Sequence, residues 1–366
     1  MGFAAASTPS LGGGLRSQER IAVLDLMRFA AALSVVIFHY GFRGYTAGGL
    51  QLVRFPALSP LARYGYLGVN LFFMISGFVI SMSAEGKSAA SFSASRFIRL
   101  YPAYWVACTL TFVAVPLLGA PHLAGTFHQW LVNLTMLQQA LGVPDIDGSY
   151  WSLFAELRFY LLIFLLCAAR CFRFLPAFLV VWAVYLLAAK RGVVWPPSRF
   201  AIFPYGAYFI AGAAFYLVYR KRAVPLAWAL VGVSGGLAYS ECTRDARHLT
   251  RYFEEPISPL VAASITATFF MLFALLALRK LEGVARPWFF AVGAMTYPLY
   301  LIHQYMGYAL INKLADGSLP YLWLLLIVVL MLALSWSLNR FLEVPAARAL
   351  KKVVRTLSPK SAPSAT

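Results

Sequence analysis

Apolar runs long enough to cross a bilayer recur along the whole chain, separated by short segments that hold most of the charge. A spanning helix needs about 20 mostly apolar residues, within a range of roughly 17–25. Stretches of that kind fall at 21–40, 66–83, 100–118, 151–169, 173–189, 201–219, 223–239, 257–278, 288–310 and 320–341. The pattern predicts an all-α polytopic membrane protein of about ten transmembrane helices. An even number puts both termini on one side. With that side cytoplasmic, the inner segments carry nineteen Lys and Arg and the outer loops ten. The bias of basic residues towards cytoplasmic loops therefore places both termini in the cytoplasm.

Composition narrows the class. The chain is 61% hydrophobic and 12% charged, with a mean hydropathy of +0.72, whereas a globular domain is about 45–50% apolar and about 25% charged. A soluble enzyme, a disordered chain and a protein with one anchor are all excluded. Four cysteines in 366 residues make no disulfide scaffold. Cys167 and Cys171 share a helical face, but no histidine accompanies them, so no metal site is expected. The net charge of +18 reads as cytoplasmic loop charge and not as a nucleic-acid footprint.

Residues 1–19 are small, polar and glycine-rich and read as a disordered cytoplasmic tail. The transmembrane domain is expected over 20–345, and 346–366 as a basic, partly disordered cytoplasmic tail. The first span is too long for a signal-peptide core and holds Asp25 and Arg28, so it is expected to stay uncleaved. Longer loops are expected at 41–65, 119–150 and 240–256. Within the second, 125–142 is apolar enough for a re-entrant or interfacial segment. The third mixes both signs and reads as a solvated outer loop.

Ionisable groups inside spans are costly and point to function. The first span holds Asp25, Arg28 and His39. Arg28 and His39 are eleven residues apart, almost three helical turns, so they share a face about 16 Å apart along the axis. Taken alone, His39 fits a helix-end histidine at the interface equally well. In the second span, Asn70 is the strong hydrogen-bonding group, and the glycines with Ser76 suit close helix packing. Arg96 and Arg99 stand at i, i+3 on one face. They fit either an ordinary cytoplasmic basic cluster or a bidentate clamp for phosphate. Glu156 and Arg158 lie inside the fourth span and point away from each other, so each needs a partner elsewhere. Ser152 opens the same helix, and His303 sits inside the ninth span. Counting depth at about 1.5 Å per residue puts His39, His303, Asn70 and Glu156 in the outer third, with Arg158 slightly deeper. Arg96 and Arg99 fall at the inner face, and Arg28 lies between. The set outlines a transmembrane active site or a transport path.

These residues resemble a family. Leu24-Asp25-Leu-Met-Arg28 running on to His39, Gly68-Val-Asn-Leu-Phe-Phe-Met-Ile-Ser-Gly77, Arg96-Phe-Ile-Arg99-Leu-Tyr-Pro102, Trp151-Ser-Leu-Phe-Ala-Glu156, Tyr297 to His303 and the closing Phe341-Leu-Glu-Val-Pro345 are similar, in order, to the integral membrane acyltransferase 3 family. Its members include bacterial O-antigen, peptidoglycan and exopolysaccharide O-acetyltransferases and Nod-factor acetyltransferases. The opening is most similar to exopolysaccharide acyltransferases of the succinoglycan type. The resemblance implies a catalytic role for His39 with Arg28, and acyl-donor binding by Arg96 and Arg99. Asn70 stands where many members have Asp, so an acid–base role does not carry over to it. Family members with a fused extracytoplasmic domain are longer, so a stand-alone transmembrane domain is expected.

The chemistry agrees with that resemblance. Moving an acyl group from a thioester to a sugar hydroxyl needs a base for the hydroxyl proton, a task suited to neutral histidine, and positive charge for the oxyanion. The expected protein is a membrane-embedded O-acyltransferase of the bacterial inner membrane. It moves an acetyl or other short acyl group from cytoplasmic acetyl-CoA (acyl-CoA) to a hydroxyl of an extracytoplasmic or lipid-linked glycan. No permanently bound cofactor, metal or nucleic acid is expected. His39, Glu156 and Arg28 are the catalytic candidates and Arg96 and Arg99 the donor-binding ones. Asp25, Asn70, Ser152, Arg158 and His303 support them. Transfer is expected to be direct, with no acyl-enzyme. A transporter or flippase for a glycan or lipid intermediate is the alternative.

Overall fold

The computed structural model describes residues 21–193, 205–315 and 318–357. The expected tail at 1–19 and the last nine residues of the C-terminal tail lie outside them. The described residues are helical and contain no strand. Twelve helices carry the architecture: α1 Ala22–Phe38, α2 Leu67–Ala84, α3 Ala89–Leu117, α4 Trp151–Ala168, α5 Leu175–Lys190, α6 Gly206–Tyr219, α7 Val224–Phe253, α8 Pro259–Ala277, α9 Trp288–Ile302, α10 Gln304–Leu314, α11 Pro320–Leu338 and α12 Val344–Leu357.

Seven helical segments are long and apolar enough to cross a membrane: Ala22–Thr46, Ser59–Ala84, Ala89–Leu117, Trp151–Ala168, Phe172–Lys190, Pro259–Ala277 and Pro320–Val354. The other three expected spans correspond to α6, α7 and α9. Of these, α6 and α9 are shorter apolar helices. The start of the expected span at 201–219 lies outside the described residues. The chain is thus an all-helical, multi-pass membrane protein.

Helix α6 is the hub. Each of its fourteen residues is buried, as its unbroken apolar sequence requires, since a helix apolar all round has no face for water. Its tightest neighbour is α2, and glycine makes the approach possible. A Cβ on Gly212 would lie 2.0 Å from the Met74 carbonyl oxygen, and one on Gly77 would lie 2.3 Å from that of Phe209. Helix α1 packs between α2 and α9.

Two expectations about continuity are corrected. The ninth span does not run unbroken over 288–310, because the helix stops at Ile302 and restarts at Gln304. The backbone groups at the break find other partners, as helix breaks within a membrane require. The Leu301 carbonyl accepts from the Tyr150 hydroxyl at 3.1 Å and that of His303 from Tyr40 at 2.6 Å, while the Tyr305 N–H donates to Asp147 Oδ2 at 2.9 Å. Second, residues 240–253 are not loop: α7 continues to Phe253, its polar second half following the apolar first half without a helix breaker. The basic stretch after Pro345 is helical as far as Leu357, and the residues beyond lie outside those described. On α12, Arg348, Lys351 and Lys352 gather on one face and Ala346, Leu350 and Val353 on the other.

The segment expected to be re-entrant or interfacial holds a short helix, Phe127–Asn133. Asn133 organises it. Its side chain donates to the carbonyls of Gln129 and Pro144 and accepts from the Ile146 N–H, all within 3.0 Å. The exposed Leu131, Leu137 and Leu141 suit an interfacial position. The segment delivers Asp147 to the break after Ile302.

Candidate active site

Two groups of polar side chains meet end to end inside the bundle. The inner group lines a cavity of about 110 Å³ bounded by α1, α2, α3, α4 and α9. Arg28, Arg96, Arg99 and Glu156 line it, with Ser76, Ser152, Tyr160, Tyr297 and Tyr300. Arg28 holds Asp25 one turn earlier at 3.3 Å. Glu156 accepts hydrogen bonds from Ser76 at 2.5 Å and Tyr160 at 2.8 Å. Arg96 lies 5.9 Å from the ring centres of Phe92 and Tyr160. Arg99 lies 5.7 Å from that of Tyr297 and forms an ion pair with Glu343. Asp25 and Glu343 balance two of the three guanidiniums without lining the cavity, so the walls themselves present three arginines and one carboxylate. The arginine N–H donors suit an anionic ligand.

The outer group surrounds the helix break. His39 is the first residue of a π-helical turn, His39–Arg43, that ends α1. Such turns insert one residue into a helix and recur at functional positions. His39 Nδ1 is 2.9 Å from the Tyr308 hydroxyl, and its ring centre is 5.1 Å from that of His303. His303 is fully buried, with Nδ1 donating to the Tyr300 carbonyl at 2.8 Å. Asp147 in the loop before α4 accepts from the Ser149 N–H and hydroxyl and from the Tyr305 N–H. Burial pushes its carboxyl up to about 6 against the pull of those bonds.

Tyr300 and Ser152 join the two groups. Their hydroxyls are 2.6 Å apart and both residues line the cavity, while the Tyr300 ring lies 5.5 Å from that of His303. A ligand filling the cavity therefore ends one side chain away from the histidine pair.

Most of the expected residues converge here, with corrections to level and role. Glu156 does not sit beside the histidines but faces the arginines. The register explains this, because Tyr150 bonds Leu301 and Ser152 bonds Tyr300, which puts Glu156 about 9 Å further in than Tyr150. Asn70 is not part of the site either. Its amide donates to the Tyr208 hydroxyl on α6 at 3.0 Å, which makes it packing glue between helices. Arg158 lies outside the cavity, 4.9 Å from the Phe154 ring centre. Ser76, read chiefly as a packing residue, donates a hydrogen bond to Glu156. Tyr308, Tyr300, Asp147 and Glu343 were not singled out by the sequence. Glu343 had a visible signal, as the acidic residue inside the closing Phe341 to Pro345 motif, and so did Tyr300, inside the Tyr297 to His303 motif.

Comparison with known proteins follows the same line. A family model described as an acyltransferase domain matches residues 21–340. An acyltransferase of Streptomyces mycarofaciens, MdmB, is 32% identical over 149 residues, which cover 39% of this chain and 38% of that protein. Nodulation protein 10 of Rhizobium leguminosarum bv. viciae is 26% identical over 88% of this chain and 92% of its own. Protein 2 in the picA locus of Rhizobium radiobacter is 36% identical over 38% of this chain and 78% of its own length. No solved structure matches.

Proposed function

The chain belongs to the acyltransferase 3 family, and from that premise we propose that it moves a short acyl group, acetyl above all, from cytoplasmic acyl-CoA to a glycan hydroxyl on the other side of a bacterial inner membrane. Family membership makes it an acyltransferase, and so an enzyme and not a transporter. One observation carries the finer reading: an arginine-lined cavity that meets, through Ser152 and Tyr300, a buried histidine pair.

Arg96 and Arg99 bind donor phosphates, and both termini lie on their side of the membrane. The thioester passes Glu156 and Arg28 and reaches the Tyr300 end of the cavity. The acceptor is a glycan, free or lipid-linked, presented from outside. His39 gives Nδ1–H to Tyr308, which leaves the Nε2 lone pair to take the proton of the acceptor hydroxyl. The hydroxyl oxygen attacks the thioester carbonyl, the carbon–sulfur bond breaks, and the CoA sulfur leaves with the proton returned from His39. The Ser152 and Tyr300 hydroxyls at the cavity's outer end are the donors for the oxyanion. The transfer is direct, and no permanently bound cofactor takes part.

The test uses purified protein in vesicles, with radiolabelled acetyl-CoA on the Arg99 side and glycan acceptor on the other. His39→Ala is expected to abolish label transfer at an unchanged unfolding midpoint. Transfer at the wild-type rate by that variant would remove His39 from the mechanism. Label that stays on wild-type protein in the absence of acceptor, and then chases into added glycan, would replace direct transfer by a relay.

A further inference from the structure

The Arg99 guanidinium, like that of Arg28 with Asp25, is held by a carboxylate that does not line the cavity, and here the partner comes from a distant helix. Its partner, Glu343, is not a wall of the cavity. The Glu343 side chain is 6% exposed and that of Arg99 42%, so the carboxylate is sealed in while the guanidinium stays reachable. Glu343 is fixed in turn, since Asn339 Nδ2 donates to its Oε2 at 3.0 Å. Both residues belong to a π-helical turn, Asn339–Glu343, that joins α11 to α12. The insertion of a residue there re-aims a side chain that a regular helix would point elsewhere.

Resting on the donor reading above, we propose that Glu343 is a positioning residue for donor binding: it anchors one edge of the Arg99 guanidinium so that the other edge meets the donor's phosphate. Arginine is suited to this because its five donors form a rigid planar fork. With Nη1 committed to Glu343 and the plane set over Tyr297, the remaining donors keep a fixed direction. The anchor also resolves a conflict. Glu156 is the carboxylate lining the cavity, and an unanchored Arg99 would have it as a competing partner. Glu343 thereby keeps the fork open for the donor and leaves Glu156 to Ser76 and Tyr160.

The experiment is a binding cycle on the full-length protein with CoA as the probe, read by titration calorimetry, with unfolding midpoints measured alongside. Glu343→Gln keeps the shape and loses the charge. It is expected to raise the CoA Kd by roughly 10-fold, the scale of one charge-assisted bond. Glu343→Asp is expected to recover part of the loss. Asn339→Ala, which only loosens the anchor, should weaken CoA in the same direction by less. In an Arg99→Ala background, Glu343→Gln should cost nothing further, a result that general damage to the fold would not give. Equal losses in both backgrounds, or unchanged or tighter CoA binding by Glu343→Gln and Asn339→Ala while Arg99→Ala binds weakly, would overturn the proposal. Identical CoA binding by wild type and Arg99→Ala would instead overturn the donor reading beneath it.

Discussion

Glu156 is held by two hydroxyl donors, Ser76 and Tyr160, among three arginines. In the proposed reaction its use is electrostatic, to orient the cavity's guanidiniums. Glu156→Gln keeps two polar atoms in place but loses the charge. The expected result is loss of acyl transfer by one to two orders of magnitude, with CoA affinity equal to wild type or higher. Full activity in the variant would make the carboxylate structural. Asp147 answers to pH. Its folded value of about 6 lies above an unfolded value of about 3.9. Between those values the folded chain binds more protons than the unfolded one. Its contribution to stability is therefore complete below about pH 4 and is lost as the pH rises to about 6. Unfolding midpoints of wild type should fall across that window relative to Asp147→Asn, and parallel profiles would refute the assignment.

At the level of helices, the contact of α2 with α6 is the most exacting. Gly212→Val would drive a side chain into the Met74 carbonyl. It is expected to destabilise by at least about 1–3 kcal/mol, the usual cost of overpacking. Gly236→Ala on α7, where an added Cβ meets nothing within 4 Å, serves as the control and should leave the unfolding midpoint within a degree or two. A wild-type midpoint for Gly212→Val would show that this packing is not close. The same contact marks what a sequence can reveal. The glycines of α2 announced a tight partner without naming it, because apolar α6 carries no period to say which face meets which helix. Arg28, His39, Arg96 and Arg99 were legible because each is a charged or polar interruption of an apolar run. The level of Glu156 was not, for it depends on the hydrogen bonds of Tyr150 and Ser152 across to α9. Asp147 and Tyr308 were hidden for a similar reason: a loop aspartate and a helical tyrosine look ordinary until the helix break at His303 gathers them.

At the scale of the whole molecule, helices α6 and α9 are shorter than the hydrocarbon is thick. At about 1.5 Å per residue, fourteen-residue α6 and fifteen-residue α9 measure about 21 Å and 22 Å. The hydrocarbon of a bilayer is about 30 Å thick. Helix α3, with twenty-nine residues, is about 43 Å long. Helix α9, which carries Tyr297 and Tyr300 and ends beside His303, is therefore too short to cross the hydrocarbon by itself, whereas α3 across the cavity from it is not. In the proposed reaction, an acyl group entering from the arginine side then has only the length of α9 to travel, about 22 Å, before it reaches the break where the acceptor hydroxyl meets it.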